Sequence, residues 1–187
     1  MTLLRRFSDW LTRVSTGWVA LGAFIGLGLF VIFVLPRQEP ATESPVSAVG
    51  IPDLLLFYSP QTLSEMAEAY GAQGRMDYVR GHLTFDVVWP LVYTISLVTG
   101  ISWTFGQFTA PQSRWRLGNL VPLFGVLWDF TENLTTSWVM YRYPDPARLA
   151  AAIAPFATLG KWLLALTSLL LLTGGVLGVL WRIVRRK

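Results

Sequence analysis

Long apolar stretches alternate with shorter polar segments along this chain, and four of them are long enough to cross a bilayer. A membrane-spanning helix needs about 20 consecutive, mostly apolar residues. The four stretches cover residues 17–35, 83–105, 117–140 and 155–183. The pattern predicts an all-α integral membrane protein with four transmembrane helices, and we expect residues 1–187 to form a single membrane domain.

The basic residues predict the orientation of these spans. Arginines precede the first stretch and follow the last, and the short loop between the second and third stretches contains Arg114 and Arg116 but no acid. By the positive-inside rule, both termini and this loop face the cytoplasm. Segment 37–81 contains six acids and three arginines, which fits the outer side. We therefore expect insertion in the plasma (inner) membrane.

The outer loop, residues 37–81, is predicted to contain one short helix. Its first part, 37–50, is rich in Pro, Ser, Glu and Ala and predicts an irregular connector. Ser59 and Pro60 then supply an N-cap and a favourable first helical position. Apolar residues follow at helical spacing up to Tyr70, and Gly71 can end the turn. The helix is amphipathic and is either a lid packed on the bundle or a helix in the lipid interface.

The first apolar stretch has an alternative interpretation as a secretory signal peptide. Basic residues precede it, and Val46, Ser47 and Ala48 loosely resemble a cleavage site. The stretch is long, however, and these small residues lie well beyond its end. We therefore expect an uncleaved first helix.

Composition supports a membrane protein and excludes several other classes. Apolar residues make up 53% of the chain, and the mean hydropathy is +0.48. The net charge of +4 comes from arginines at the two ends and in one loop, so we predict no nucleic-acid partner. The absence of cysteine excludes disulfides, thiolate metal sites and cysteine nucleophiles.

Four ionisable residues lie inside the predicted spans: Asp86, Asp129, Glu132 and Lys161. A charge in hydrocarbon is costly, so such residues usually face a bundle interior or a wet cavity and mark functional sites. In the third span, residues 129, 132, 133 and 136 fall on one stripe at 100° per residue. This stripe predicts a polar face on which Asp129 and Glu132 are the centre and Asn133 is an orienting group.

The second and fourth spans offer matching faces. His82, Asp86 and Tyr93 share one side of the second span, where Pro90 frees the carbonyl of the residue four positions earlier and favours a kink. Arg80 and His82 are expected at the rim of the site. Lys161 either points inward to a carboxylate or extends to the membrane interface.

The charge balance of this site restricts its ligands. Three buried acids face one nearby lysine, so a proton, a metal ion or an amphiphile with an amine or other polar head group is favoured. We predict no metal site, because the chain has one histidine and no spaced ligand motif. We assign no cofactor. The structural alternative is that the acids only hydrogen-bond between helices and fix their register.

These observations favour a membrane protein with an outward-leaning polar cavity that binds a lipid-like or amphiphilic molecule. Catalytic signatures such as GxSxG and HExxH are absent, so whether the chain is an enzyme stays open. One alternative is an accessory or assembly subunit that contacts partner subunits or itself through the GxxxG pattern of Gly22 and Gly26. A less favoured alternative is a proton-coupled transporter. The candidate ligand-binding residues are Arg80, His82, Asp86, Tyr93, Asp129, Glu132, Asn133 and Lys161.

Overall fold

The computed structural model describes residues 3–37 and 49–185 of the chain. Most of the predicted connector, with Val46, Ser47 and Ala48, lies outside these described residues. Within the described part, the protein is all-helical and contains no strand. Its helices are α1 (Leu3–Val14), α2 (Gly17–Phe33), α3 (Pro60–Ala69), α4 (Gly71–Phe108), α5 (Val121–Arg142) and α6 (Arg148–Arg185), and short 3-10 turns cover Leu35–Arg37, Pro52–Leu54 and Arg114–Leu120.

Three helical segments of the described chain are long and apolar enough to cross a membrane. They are Gly17–Arg37, Gly71–Phe108 and Arg148–Arg185. Helix α5 has 22 residues, but its polar residues, among them Asp129 and Glu132, lower its hydropathy. The chain is therefore compatible with a membrane protein, while the fourth span, the inner membrane and the orientation stay predictions.

Helix α3 begins where the sequence places an N-cap. The Ser59 hydroxyl accepts a hydrogen bond from the Thr62 amide at 3.0 Å, and Pro60 occupies the first turn. At the other end, Gly71 has φ of 64°, a left-handed conformation that glycine adopts without strain. This residue permits the turn into α4, so α3 and α4 follow one another directly.

Two of the long helices begin earlier than the hydropathy pattern predicts. Helix α4 starts at Gly71 rather than at residue 83, and α6 starts at Arg148 rather than at residue 155. The residues in both extensions are mostly polar or small, and a hydropathy pattern detects only the apolar part of a helix. Pro155 accordingly lies inside α6 and does not begin it.

The chain divides into two compact units, and the prediction of one membrane domain stays a prediction. The first unit contains Met1–Ile32, Leu91–Gly125 and Leu163–Lys187. Its interior includes an apolar cluster of Leu11, Val98 and Leu120. Beside it, the Asn119 side chain donates hydrogen bonds to the Ser8 carbonyl at 3.1 Å and to the Ser102 hydroxyl at 2.9 Å. These contacts fix α1 against the Arg114–Leu120 turn.

The second unit contains Phe33–Pro90 and Val126–Trp162. Its apolar core joins α3 to the adjoining parts of α4, α5 and α6. The buried side chains are Tyr58, Leu63, Met66, Ala67, Tyr70, Tyr78, Val139, Met140, Ala151 and Ala154. Helix α3 thus buries its apolar face within this unit, which favours the lid over a helix that lies in lipid.

Candidate functional site

A buried ion pair between α5 and α6 lies at the centre of the second unit. The Lys161 ammonium contacts Oε2 of Glu132, whose side chain is completely buried. The other oxygen, Oε1, accepts a hydrogen bond from the Thr158 hydroxyl. Of the two alternatives for Lys161, the inward orientation is the observed one. A buried carboxylate needs such partners, because an unpaired charge in this environment is strongly destabilising.

Asp53, which the sequence suggested was only an acid of the outer loop, belongs to the same cluster. Its Oδ1 lies 3.1 Å from Nε2 of His82 and 3.9 Å from the Lys161 ammonium. Its Oδ2 accepts a hydrogen bond from the Tyr78 hydroxyl at 3.1 Å. The carboxylate therefore joins α4 to α6 from a short 3-10 turn, Pro52–Leu54, that belongs to neither helix.

These partners decide the charge of Asp53. Burial alone would raise the pKa of this carboxyl. The hydrogen bond from His82, the positive charges of His82 and Lys161, and the hydrogen bond from Tyr78 outweigh burial and lower the pKa from 3.8 to about 2. Asp53 is thus an anion at any physiological pH.

His82 makes two hydrogen bonds that fix its protonation state. Its Nε2 faces the Asp53 carboxylate, and its Nδ1 lies 2.9 Å from the Tyr78 carbonyl oxygen. Both partners only accept, so both ring nitrogens donate and the ring is an imidazolium. The ring stacks on Tyr78, with 3.9 Å between the ring centroids. Asp86 is also near, with its Oδ2 3.5 Å from Nδ1.

Residues Gly50–Tyr58 form a segment that we name the strap. Side chains of the second unit bind its backbone at two points, since Tyr70 donates to the Gly50 carbonyl and Trp162 donates to the Asp53 carbonyl at 3.1 Å. Asp53 and Tyr58 are its inward polar groups. Outward, the strap exposes three large apolar side chains, Leu54, Leu56 and Phe57.

The strap's last residue connects to the central ion pair. Burial raises the pKa of the Tyr58 hydroxyl, so it keeps its proton. Thr158 directs its one hydroxyl hydrogen to Glu132, so Tyr58 is the donor in the 3.0 Å contact between the two hydroxyls. A continuous chain of hydrogen bonds therefore runs from Tyr58 through Thr158 to Glu132 and ends at Lys161.

Asp86, Asp129 and Asn133 lie beside this network. Asn133 donates to the backbone carbonyl of Asp86 at 3.0 Å. The side chain of Asp86 is 27% exposed, whereas Asp129 is buried. Asp129 is close enough to Asp86 and Lys161 for their charges to interact. The contacts of Lys161 bring Glu132 and Asp53 together, and the central role predicted for Asp129 stays a prediction.

Two further predicted site residues, Arg80 and Tyr93, stay predictions. The Arg80 side chain is 74% exposed and lies 3.9 Å from Asp77, one turn earlier on α4. Tyr93 belongs to the first unit.

Five members of the cluster were not predicted from the sequence: Asp53, Tyr58, Tyr78, Thr158 and Trp162. One signal for the first was present, since Asp53 is the lone acid in the apolar run from Ile51 to Phe57. An acid in such a run is costly unless it finds a partner. The other four are ordinary polar residues of amphipathic segments, and only their contacts distinguish them.

The site differs in kind from the apolar surface of the same unit. A groove of about 500 Å³ is lined by apolar side chains, among them Leu134, Trp138, Leu149 and Ile153, and by the polar Thr135 and Arg148, with none of the clustered carboxylates. Within the residues that the structure describes, no group of three or more His, Asp or Glu side chains has an arrangement that could hold a metal ion.

Fold and site together define an all-helical protein with membrane-compatible helices and a buried network of charges. No protein-family model matches the sequence, and no curated protein or solved structure is significantly similar to it.

Proposed function

We propose that this chain is a membrane protein whose second unit binds an amphiphilic small molecule with a cationic head group. The observation that carries the proposal is the charge imbalance of the cluster. Among the residues that the structure describes, four carboxylates, Asp53, Asp86, Asp129 and Glu132, lie close to two cations, His82 and Lys161. With all groups ionised, the cluster has two excess negative charges.

The two cations of the cluster are shared between carboxylates. His82 contacts Asp53 at 3.1 Å and Asp86 at 3.5 Å, and Lys161 contacts Glu132 and, at 3.9 Å, Asp53. The charges of Asp86 and Asp129 also repel each other. Asp86 is also the carboxylate with an exposed fraction above one quarter. A ligand ammonium beside these two groups would relieve the repulsion, because opposite charges in a low dielectric attract strongly.

The apolar part of the ligand has a natural environment. The strap exposes Leu54, Leu56 and Phe57, and α4 exposes Leu83 and Val87 next to Asp86. An alkyl chain that reaches the site through the bilayer would contact such side chains. The class of molecule that combines both requirements is a long-chain or polycyclic amine.

The test is thermal unfolding of the purified protein with dodecylamine as the probe and dodecanol as its uncharged counterpart. We expect the amine to raise the Tm of the wild type and the alcohol to leave it unchanged. The double variant Asp86→Asn, Asp129→Asn should lose the amine response, and Asp77→Asn, an exposed acid of the same helix, should keep it. An equal amine response in the double variant would refute the proposal.

A second candidate function is that of a subunit in a membrane assembly. It rests on α2, where a Cβ at Gly22 or Gly26 would have no atom of the described chain within 4 Å apart from the adjoining residues and backbone of α2 itself. A small-residue face without a neighbour can receive another helix at close range. Native mass spectrometry after mild extraction tests this function. A larger complex that Gly22→Leu with Gly26→Leu disrupts supports it, and a monomer in both proteins contradicts it.

A further inference from the structure

Helix α1 is held in one rotational orientation by polar contacts on one side. The Ser8 hydroxyl donates to the Arg116 carbonyl at 3.0 Å, and the Ser8 carbonyl accepts from Asn119. Ser8 and Leu11 are both buried. These contacts determine which side of α1 packs against the protein. The directions of its other sides are therefore fixed as well, although the helix has only 12 residues.

A large apolar face of α1 is left exposed. Leu3 is 85% exposed, Phe7 42%, Trp10 48% and Val14 43%. These positions are separated by three or four residues, so they form one stripe along the helix. Phe7 and Trp10 stack on each other, with 5.7 Å between their ring centroids. Such a continuous stripe of large side chains marks an interaction surface and not the scatter of single apolar residues seen on soluble proteins.

The bilayer is the occupant that the neighbouring helix indicates. Only Ser15 and Thr16 separate α1 from α2. The segment Gly17–Arg37, which contains α2, is one of the three membrane-compatible segments. Only 6% of its most apolar stretch is buried inside the protein. A helix that directly precedes an exposed membrane span lies at the membrane surface, where Trp and Phe are favoured on the buried side.

The charges next to the apolar stripe indicate which class of lipid this surface favours. On a helical wheel, Arg6 and Arg13 lie together on the edge of the apolar stripe that is away from the buried side. Both are exposed, as is Arg114 in the turn that packs against α1. The described residues of the first unit include seven arginines and one acid, Asp9. Arginine side chains at the membrane surface can extend to lipid phosphate groups and bind them in a bidentate manner.

We propose that α1 lies in the plane of the membrane interface and binds anionic phospholipids. The stripe Leu3, Phe7, Trp10 and Val14 enters the acyl boundary, and Arg6 and Arg13 contact the lipid phosphates. This surface belongs to the first unit and does not depend on the amphiphile site proposed above.

The first experiment measures the depth of α1 in vesicles. The chain has no cysteine, so a single introduced cysteine can be labelled uniquely with a nitroxide. Phe7→Cys reports on the apolar stripe, and Asp9→Cys is its control on a more polar face. The measurement uses vesicles of phosphatidylcholine and phosphatidylglycerol. We expect the label at position 7 to be more accessible to oxygen, which partitions into the bilayer, than the label at position 9. The label at position 9 should be more accessible to a water-soluble nickel complex. A Phe7 label that is nickel-accessible, or shielded from both reagents by another protein, would overturn the proposal.

The second experiment measures lipid selectivity. Native mass spectrometry of the full chain should show retention of phosphatidylglycerol over phosphatidylcholine with the same acyl chains. Replacing Arg6 and Arg13 by glutamine should weaken phosphatidylglycerol retention by about fivefold for each arginine replaced. The matched control, Arg80→Gln with Arg142→Gln, removes two exposed arginines of the second unit and should have no effect. Equal retention of both lipids, or the same loss in the control, would also overturn the proposal.

Discussion

The Asn133 amide donates to the backbone carbonyl of Asp86, with 3.0 Å between nitrogen and oxygen. This carbonyl would ordinarily accept from the amide of residue 90, which is proline and has no hydrogen to donate. Asn133 thus supplies from α5 the hydrogen bond that Pro90 removes from α4. The contact places the polar stripe of α5 beside Asp86 and joins the two helices at the edge of the charged cluster.

Replacing Asn133 should destabilise the protein to an extent that depends on Pro90. Asn133→Leu leaves the Asp86 carbonyl without its donor, which costs about 1 to 3 kcal/mol in a buried setting. Pro90→Ala restores a backbone donor to the same carbonyl. A double-mutant cycle of unfolding free energies should therefore show a smaller cost of Asn133→Leu in the Pro90→Ala background. Equal costs in both backgrounds would mean that the two residues do not act on one carbonyl.

The central ion pair should be far more sensitive to loss of one partner than to loss of both. Lys161→Met leaves the completely buried Glu132 without its counter-charge, and we expect a loss of about 3 to 5 kcal/mol. Adding Glu132→Gln removes the orphan charge and should recover much of that loss. Denaturant unfolding in detergent measures both effects.

The control for this prediction is an exposed pair on the same unit. Arg142 contacts Asp145 at 3.3 Å, and both side chains are largely solvent-exposed. Arg142→Met should cost at most about 1 kcal/mol because water screens such a pair. A comparable loss in Arg142→Met and Lys161→Met would contradict a special role for the buried pair.

Asp53 should make the protein sensitive to acid. Its pKa is lowered from 3.8 to about 2 in the folded state, so the carboxylate stabilises the fold above pH 3.8. This contribution, about 2 kcal/mol for such a shift, is lost as the pH falls through the folded pKa. The unfolding free energy of the wild type should therefore decrease more steeply between these two values than that of Asp53→Asn. Asp77→Asn, an exposed acid, should follow the wild type; parallel curves for all three proteins would contradict the expectation.

The helical class and several helix ends could be predicted from the sequence because they depend on local properties. Apolar stretches of sufficient length indicate helices compatible with a membrane, and Ser59 with Pro60 specifies where α3 begins. The extension of α4 back to Gly71 could not be read this way. Its first two turns are polar, and their helical state depends on packing against α3 within the second unit.

The candidate site was predictable only in part for a related reason. An isolated charge in an apolar helix, such as Lys161 or Glu132, is conspicuous because hydrocarbon penalises it. Asp53 lies 79 positions before Glu132 in a segment that resembles a loop, and no local pattern specifies that it meets Lys161.

The strap should be anchored at its end by the hydroxyl of Tyr58. Tyr58→Phe removes the donor to Thr158 while keeping the ring, so we expect a loss of about 1 kcal/mol in unfolding free energy. The loss should shrink in a Thr158→Val background, where the acceptor is already gone. Tyr141→Phe, at a position 62% exposed, is the matched control and should change stability little.

The opening of the strap can be followed directly with a label on Phe57→Cys, because this label should become more accessible when Tyr58 loses its hydroxyl. Unchanged stability and unchanged accessibility together would show that Tyr58 does not hold the strap over the central ion pair.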